Sequence, residues 1–412
     1  MARIRIATRR QFMVDGLGLV AAGAGLSDAL LRDAVSGPRE PGHRVVVILQ
    51  LSGGHDTLSA LVPYGHEEYG RVRKATRIGE KEVLKLDDEL GLHPALGGFK
   101  DLLDDGAFAV IPGTGYPSPN YSHFKAMDIW HMADRRGRRV PYGWIGRYLD
   151  DAFEGSTDPC LSLAIGAGRC PPALVGKEHP GLSFSRPDRF RYMGDRGDKR
   201  QGATYRKLNE LPATSTPANL EFVARTAAAA NASSARIREL VAAYKPRVPY
   251  PNTRLGRSLR TVAALISGGM STRAYHVSQG GFDTHAGQRT RHDELMTRLN
   301  AAVVAFQKDL NAQNQAKRVL TFTFSEFGRR VKENGSKGTD HGAAGSMFLF
   351  GPGVKPGIHG KHPSLTDLQG GGGGSLKHTV DFRSVYATVL EKWFETKSEP
   401  LLGKHPLSDC IA

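Results

Sequence analysis

The segment Gly280-Gly281-Phe282-Asp283-Thr284-His285 sets a carboxylate and an imidazole two residues apart, so both project from one side of an extended backbone. Such a pair suits a divalent ion, because borderline ions take both carboxylate oxygen and imidazole nitrogen. Asp56, Asp340-His341 and His378 lie in three further segments, near turn glycines or after apolar runs. A lone Asp-x-His pair is common on protein surfaces, and placement is what lifts this one. Asp56, Glu326 and Ser122 all fall at or just beyond the carboxyl ends of expected strands, where ligands gather in open α/β sheets. The expectation is one metal-assisted hydrolytic site built from distant segments. Arg329, close behind Glu326, is placed either to clamp an anionic oxygen or simply to pair with that glutamate. His93, His131, His292 and His359 have no such company and read as structural or solvated.

These residues need a frame, and the apolar pattern supplies one. Val45 to Leu49 is apolar at every position, as in a strand buried on both faces of a parallel sheet, and it runs into the turn Ser52-Gly53-Gly54-His55-Asp56. Phe108 to Pro112, Leu161 to Ile165, Ala274 to Val277, Val319 to Phe324 and Ser346 to Phe350 read as further strands. Between them, Leu92 to Leu103, Trp144 to Leu149, Ala218 to Tyr244, Leu255 to Ile266 and Glu294 to Leu310 carry helical spacing, and Val380 to Trp393 closes the chain as a helix. Tyr121 to Ala126 opens another helix, where the Ser122 hydroxyl is either a cap or a nucleophile. Gly351 to Gly357 mimics a phosphate loop but lacks its Lys-Ser/Thr ending, so it reads as a turn. Strand and helix alternation predicts an α/β fold, a three-layer α/β/α sandwich with a mostly parallel central sheet.

Of the 412 residues, 40% are hydrophobic and 24% charged, enough for a sizeable core. A formal charge of +15 and a pI near 9.8 favour anionic partners. No aromatic residues interleave with the basic ones in a nucleic-acid pattern, so specific DNA or RNA recognition is not expected. Cys160, Cys170 and Cys410 form no metal-spaced set, and Cys160 with Cys170 is close enough in sequence to bridge a short loop. Thr8-Arg9-Arg10-Gln11-Phe12-Met13 precedes a short apolar run rich in Gly and Ala, which resembles a twin-arginine export signal. That run is too short for a comfortable membrane span, so no stable span is expected once the signal is processed. The domain reading is a signal over 1–36, a linker over 37–44 and one domain over 45–412, with a basic insertion and helical segment at about 183–250. Export by the twin-arginine translocase would deliver the protein to the periplasm, the cell surface or the medium.

With these segments in place the chain resembles the bacterial family called domain of unknown function 1501, a branch of the alkaline phosphatase-like superfamily that includes sulfatases and phosphomutases. The resemblance runs nearly end to end: the twin-arginine signal, Val45–Asp56, Leu90–Pro94, Tyr121–Ala126, Tyr142–Asp150, Gly281–Gln288, Ser325–Arg329, Thr339–Gly342 and His378–Leu390. It implies an alkaline phosphatase-like fold and hydrolysis of phosphate or sulfate esters, with a small anionic ester or an acidic polysaccharide as substrate. It also implies divalent cations (Zn, Mg, Ca or Mn) beside a Ser, Thr or Cys nucleophile. Carried over by position, one ion would use Asp283, His285 and His378, and the other Asp56, Asp340, His341 and the nucleophile. The superfamily's Asp-His pair follows a strand directly, where this chain has Glu326-Phe327, so Glu326 is an alternative ligand. Ser122 and Ser118 are both candidates for the nucleophile, and Asn120 in the ancestral position would abolish the covalent step. A degenerate relative that binds an anionic glycan or a partner without turnover is the competing reading.

Overall fold

The computed structural model describes residues 42–134, 141–190, 231, 233–370 and 374–412. The export signal, the first part of the linker, most of the basic insertion and the first half of the Ala218 to Tyr244 helix lie outside these residues.

Strand β1 (Val45–Ser52) is the centre of the molecule. Its odd residues Val45, Val47, Leu49 and Leu51 enter one core and its even residues Val46 and Ile48 enter another. Period-two alternation of apolar side chains on both faces requires a layer of helices on each side. The sheet continues with β2 (Phe108–Gly115), β3 (Ser162–Ile165), β4 (Leu182–Phe184), β5 (Ala274–Gly280), β6 (Val319–Phe324), β7 (Gly345–Phe350), β8 (Gly357–Ile358) and β9 (Val380–Asp381). Its order is β8-β2-β7-β6-β1-β5-β3-β4, and β9 pairs with β2. Helix α1 (Gly97–Asp104) lies with α4 (Arg254–Ser267) and α5 (Gln288–Ala312) on the first face, through Phe99, Leu259, Leu299 and Phe306. Helices α2 (His123–Met132), α3 (Trp144–Ala152) and α6 (Phe382–Thr388) cover the second, through Trp130, Trp144 and Phe382. The protein is a three-layer α/β/α sandwich, as its strand–helix alternation predicts.

Every strand of the sheet runs the same way except β7, which is antiparallel to both β2 and β6. The carboxyl ends of β1, β2, β5 and β6 therefore share one edge. Three expectations change in detail. Ser183 and Phe184 are not rim but part of the edge strand β4, which pairs with β3. The closing helix begins later, because Val380–Asp381 pairs with β2 and the Asp381 carboxylate then caps α6 by accepting from the Arg383 nitrogen at 3.0 Å. All three cysteines are free thiols, and burial pushes Cys170 up to about 12. No helix among the described residues is long and apolar enough to cross a membrane.

Candidate metal centre

Beyond β1 the chain turns sharply at Gly53 and Gly54, both in the left-handed region. A side chain on Gly53 would collide with the Asp283 backbone, and one on Gly54 with the Phe327 ring. Only glycine brings these loops so close. Arg329, past the end of β6, locks them together. Its fully buried guanidinium donates to the carbonyls of Gly53, Gly54 (2.6 Å), Phe282 (3.0 Å) and Thr339 (2.7 Å), and to Asp283 Oδ1 at 2.6 Å.

Asp283 is the meeting point. His285 Nε2 lies 3.0 Å and His341 Nε2 3.1 Å from its Oδ1, and His123 Nε2 lies 3.5 Å from its Oδ2. The Nε2 atoms of His285 and His341 are 3.1 Å apart. The other nitrogen of each ring is held by an oxygen. His123 Nδ1 is 2.8 Å from Glu326 Oε1, His285 Nδ1 is 3.2 Å from Asp340 Oδ1, and His341 Nδ1 is 2.9 Å from the Tyr121 carbonyl. A carbonyl or carboxylate oxygen only accepts, so with a cation bound at Asp283 each Nδ1 would keep the proton for its oxygen partner and each Nε2 would offer its lone pair to the ion. Glu326 is fully buried and also accepts from the Gly53 nitrogen at 2.9 Å, while Asn334 holds Asp340 Oδ1 at 3.0 Å.

Burial raises the Asp283 pKa, but the hydrogen bonds from Arg329 and His341 outweigh it and hold the carboxyl at about 2. Burial also keeps His341 below its ordinary value, against the pull of Asp283. At neutral pH the site therefore offers an ionised carboxylate and a neutral His341. In a tetrahedral site with bonds of about 2.0–2.1 Å, ligand atoms sit about 3.3 Å apart. The separations of 3.0 to 3.5 Å to Asp283 fit that spacing. Nitrogen and carboxylate ligands, each backed by an outer hydrogen bond, suit zinc or a similar ion. Phe327 walls one side, its ring 4.9 Å from His123 and 4.4 Å from His341.

Of the residues singled out in the sequence, Asp283, His285 and His341 meet here. Asp340 and Glu326 stand one step back, each holding a histidine instead of facing the centre. His123 was not anticipated. It lies after a strand's carboxyl end and at a helix start, the kind of placement that marks Asp56, and its signal in the sequence is its position next to Ser122. Among the described residues, His123, Asp283 and His341 form a group able to share an ion, with ligand atoms within 4.8 Å of one another, and His285 adjoins it through its Nε2 contacts with Asp283 and His341. His378 is not in that group and packs beside Gly115 at the end of β2. Arg329 is a clamp on the backbone, because its donors are committed to carbonyls and Asp283, with Nη1 also 3.5 Å from His285 Nε2. Ser122 is the exposed N-cap residue of α2, and its hydroxyl makes no cap bond. Ser118 sits in the loop before it, with a left-handed φ of 53°.

Asp56 belongs elsewhere. Both of its oxygens are taken by the buried guanidinium of Arg73, and it also accepts from Ser59 Oγ at 2.7 Å and Gln288 Nε2 at 2.5 Å. Burial raises its pKa, and Arg73 more than offsets that, leaving the carboxyl ionised well below the usual carboxylate range. The cation beside Asp56 is a side chain of the protein itself. Replacing Arg73 with alanine strands a buried carboxylate and is expected to cost about 3–5 kcal/mol by urea unfolding. Asp56→Leu combined with Arg73→Met should recover most of it, and a single-variant cost below about 1 kcal/mol would show that the pair is not holding the loops.

Residues 196–394 match the family described as Protein of unknown function (DUF1501), which bears out the family resemblance. No curated protein matches the chain. Among solved structures it is similar to Ps i-CgsB in complex with k-i-k-neocarrahexaose, at 12% identity and a TM-score of 0.38, covering 88% of this chain and 75% of that one. It is also similar to a protein in the alkaline phosphatase superfamily from Vibrio parahaemolyticus, at 7% identity and a TM-score of 0.38, covering 93% and 75%. A third is the C-terminal periplasmic domain of EcEptC from Escherichia coli, at 10% identity and a TM-score of 0.35, covering 75% and 73%.

Proposed function

We propose that the chain is an exported hydrolase of phosphate or sulfate esters that works with a divalent cation held by His123, Asp283, His285 and His341. The observation that carries this reading is the convergence of three Nε2 atoms on one ionised carboxylate, with every Nδ1 fixed from behind. When bound, the cation supplies Lewis-acid stabilisation of the charge that develops on the ester oxygens. The chain's own contribution is to hold the ligands. Glu326 and Asp340 orient two imidazoles, the Tyr121 carbonyl orients the third, and Arg329 keeps Asp283 ionised. The nucleophile is the Ser122 hydroxyl, next to His123 and open to solvent, or water. Export rests on Thr8 to Met13.

The test is metal analysis of the purified protein with turnover of aryl phosphate and aryl sulfate. We expect about one tightly held divalent ion per chain, and turnover that a chelator abolishes and that Ser122→Ala slows if the hydroxyl attacks. Folded protein without bound metal, or turnover indifferent to chelation, would overturn the reading. A non-catalytic, glycan-binding relative is the second reading, favoured by Asp56: the carboxylate expected to hold a second ion is already neutralised by Arg73. Bound metal without turnover of either ester would select it.

A further inference from the structure

One strand over from the Asp283 loop, a cavity of about 590 Å³ opens where β3 ends, lined by Arg186, Arg254, Arg257 and Arg260 with Ser258 and Thr261. Its one lining acid, Asp188, is spent on Arg186 at 2.8 and 2.9 Å. The other three arginines are exposed and make no ion pair among the described residues. Arg254 donates to the Gly166 carbonyl and Arg257 to Asn252 Oδ1 at 2.7 Å, which leaves their charges uncompensated. All three lie on α4, spaced by three residues and so about 4.5 Å apart along its axis. Arg254 and Arg257 occupy the first turns, which hold no acidic residue. Cations there oppose the helix dipole, an arrangement that favours a bound anion. Because β3 runs parallel to β5 with Ala164 opposite His276, the cavity lies on the same sheet edge as Asp283.

We propose that this cavity is a second subsite that takes a sulfate or carboxylate group of an acidic polysaccharide whose scissile ester lies at the metal cluster. The inference rests on the hydrolase reading for its purpose and narrows the substrate to a polymer with several anionic groups. A polysaccharide fits better than nucleic acid. Among the described residues, the exposed aromatic side chains are Tyr121 and Phe124, beside the cluster, and the aromatic residue that lines the cavity, Tyr244, is half-buried with its hydroxyl 2.6 Å from Asp309.

The test is binding of heparin, a sulfated polysaccharide, across a salt series. Arg257→Glu with Arg260→Glu is the chosen variant, since Arg254 also holds the Gly166 carbonyl. We expect affinity to fall at least tenfold and the slope of log K against log salt to shrink by on the order of two. Lys308→Glu with Lys317→Glu changes the charge equally at the far edge of the sheet and should alter affinity less than threefold. Should the glutamates impair folding, Arg257→Gln with Arg260→Gln serves instead, with a smaller loss in the same direction. Equal losses in the lysine control, no loss in the arginine variants, or tighter retention of single-stranded DNA that falls with the same substitutions would each overturn the proposal. The assay reads binding alone, so a parent protein that binds heparin without hydrolysing esters would count against the hydrolase and not against the subsite.

Discussion

Asparagine in place of Asp283 weakens the hold on a divalent cation by roughly 100-fold or more, while the fold survives. The magnitude follows from position: residues that only orient a ligand typically cost about 10–100-fold when changed, and Asp283 faces all three imidazoles directly. Asparagine keeps an oxygen for Arg329, whose buried guanidinium also retains four backbone carbonyls, so no buried charge is stranded. Alanine would mix metal loss with the cost of unpairing that arginine. Glu326→Gln is expected at the lower end, about 10–100-fold, because it disturbs only the tautomer of His123. Competition with a chromophoric chelator measures both. Wild-type zinc affinity in the Asp283 variant would place the cation somewhere else.

The frame was legible because apolar runs announce a sheet covered on both faces, and Val45 to Leu49 of β1 and Phe108 to Ile111 of β2 are such runs. The direction of β7 was not, since an apolar run reads the same from either end. At the site, Asp283 and His285 could be paired from their closeness in sequence, although the loop is not extended: Gly281 has a φ of 105° and the Thr284 nitrogen donates to the Phe282 carbonyl at 2.9 Å. Glu326 and Asp340 were recognisable as important but not as outer supports. That distinction depends on which imidazole nitrogen each oxygen meets, and sequence holds no such information. Arg73 was silent for a different reason. Arginine is ordinarily a surface residue, and nothing near position 73 signals that its charge turns inward to Asp56. The result is that the two carboxylates expected to act alike were separated: one keeps an open face toward three histidines, the other is neutralised within the core.

The buried histidines outside the site predict a steep loss of stability in mild acid. Burial pulls His55 and His131 down to about 4 and His276 to about 3. Both ring nitrogens of His55, Nδ1 of His131 and Nε2 of His276 have no hydrogen-bond partner among the described residues. An unfolded chain takes up these protons near pH 6.5, the folded chain only near pH 4 for His55 and His131 and near pH 3 for His276, so between those values the unfolded state binds more protons. Stability is therefore full above pH 6.5, falls as pH drops through that window, and loses nothing more to these groups below it. Asp56 plays no part there, because a carboxylate with a lowered pKa gives up its contribution only in far stronger acid. At pH 5 each histidine costs about 2 kcal/mol and the three together about 6 kcal/mol, comparable with the whole stability of an ordinary domain. Urea unfolding from pH 7 to pH 5 should show this slope. His131 and His276 lie with ring centroids 5.8 Å apart, and converting both to leucine removes two of these titrations. Between pH 7 and pH 5 the variant should then lose about 4 kcal/mol less than the wild type, because that proton uptake no longer distinguishes its unfolded chain from its core; an undiminished slope would assign the acid sensitivity to other groups.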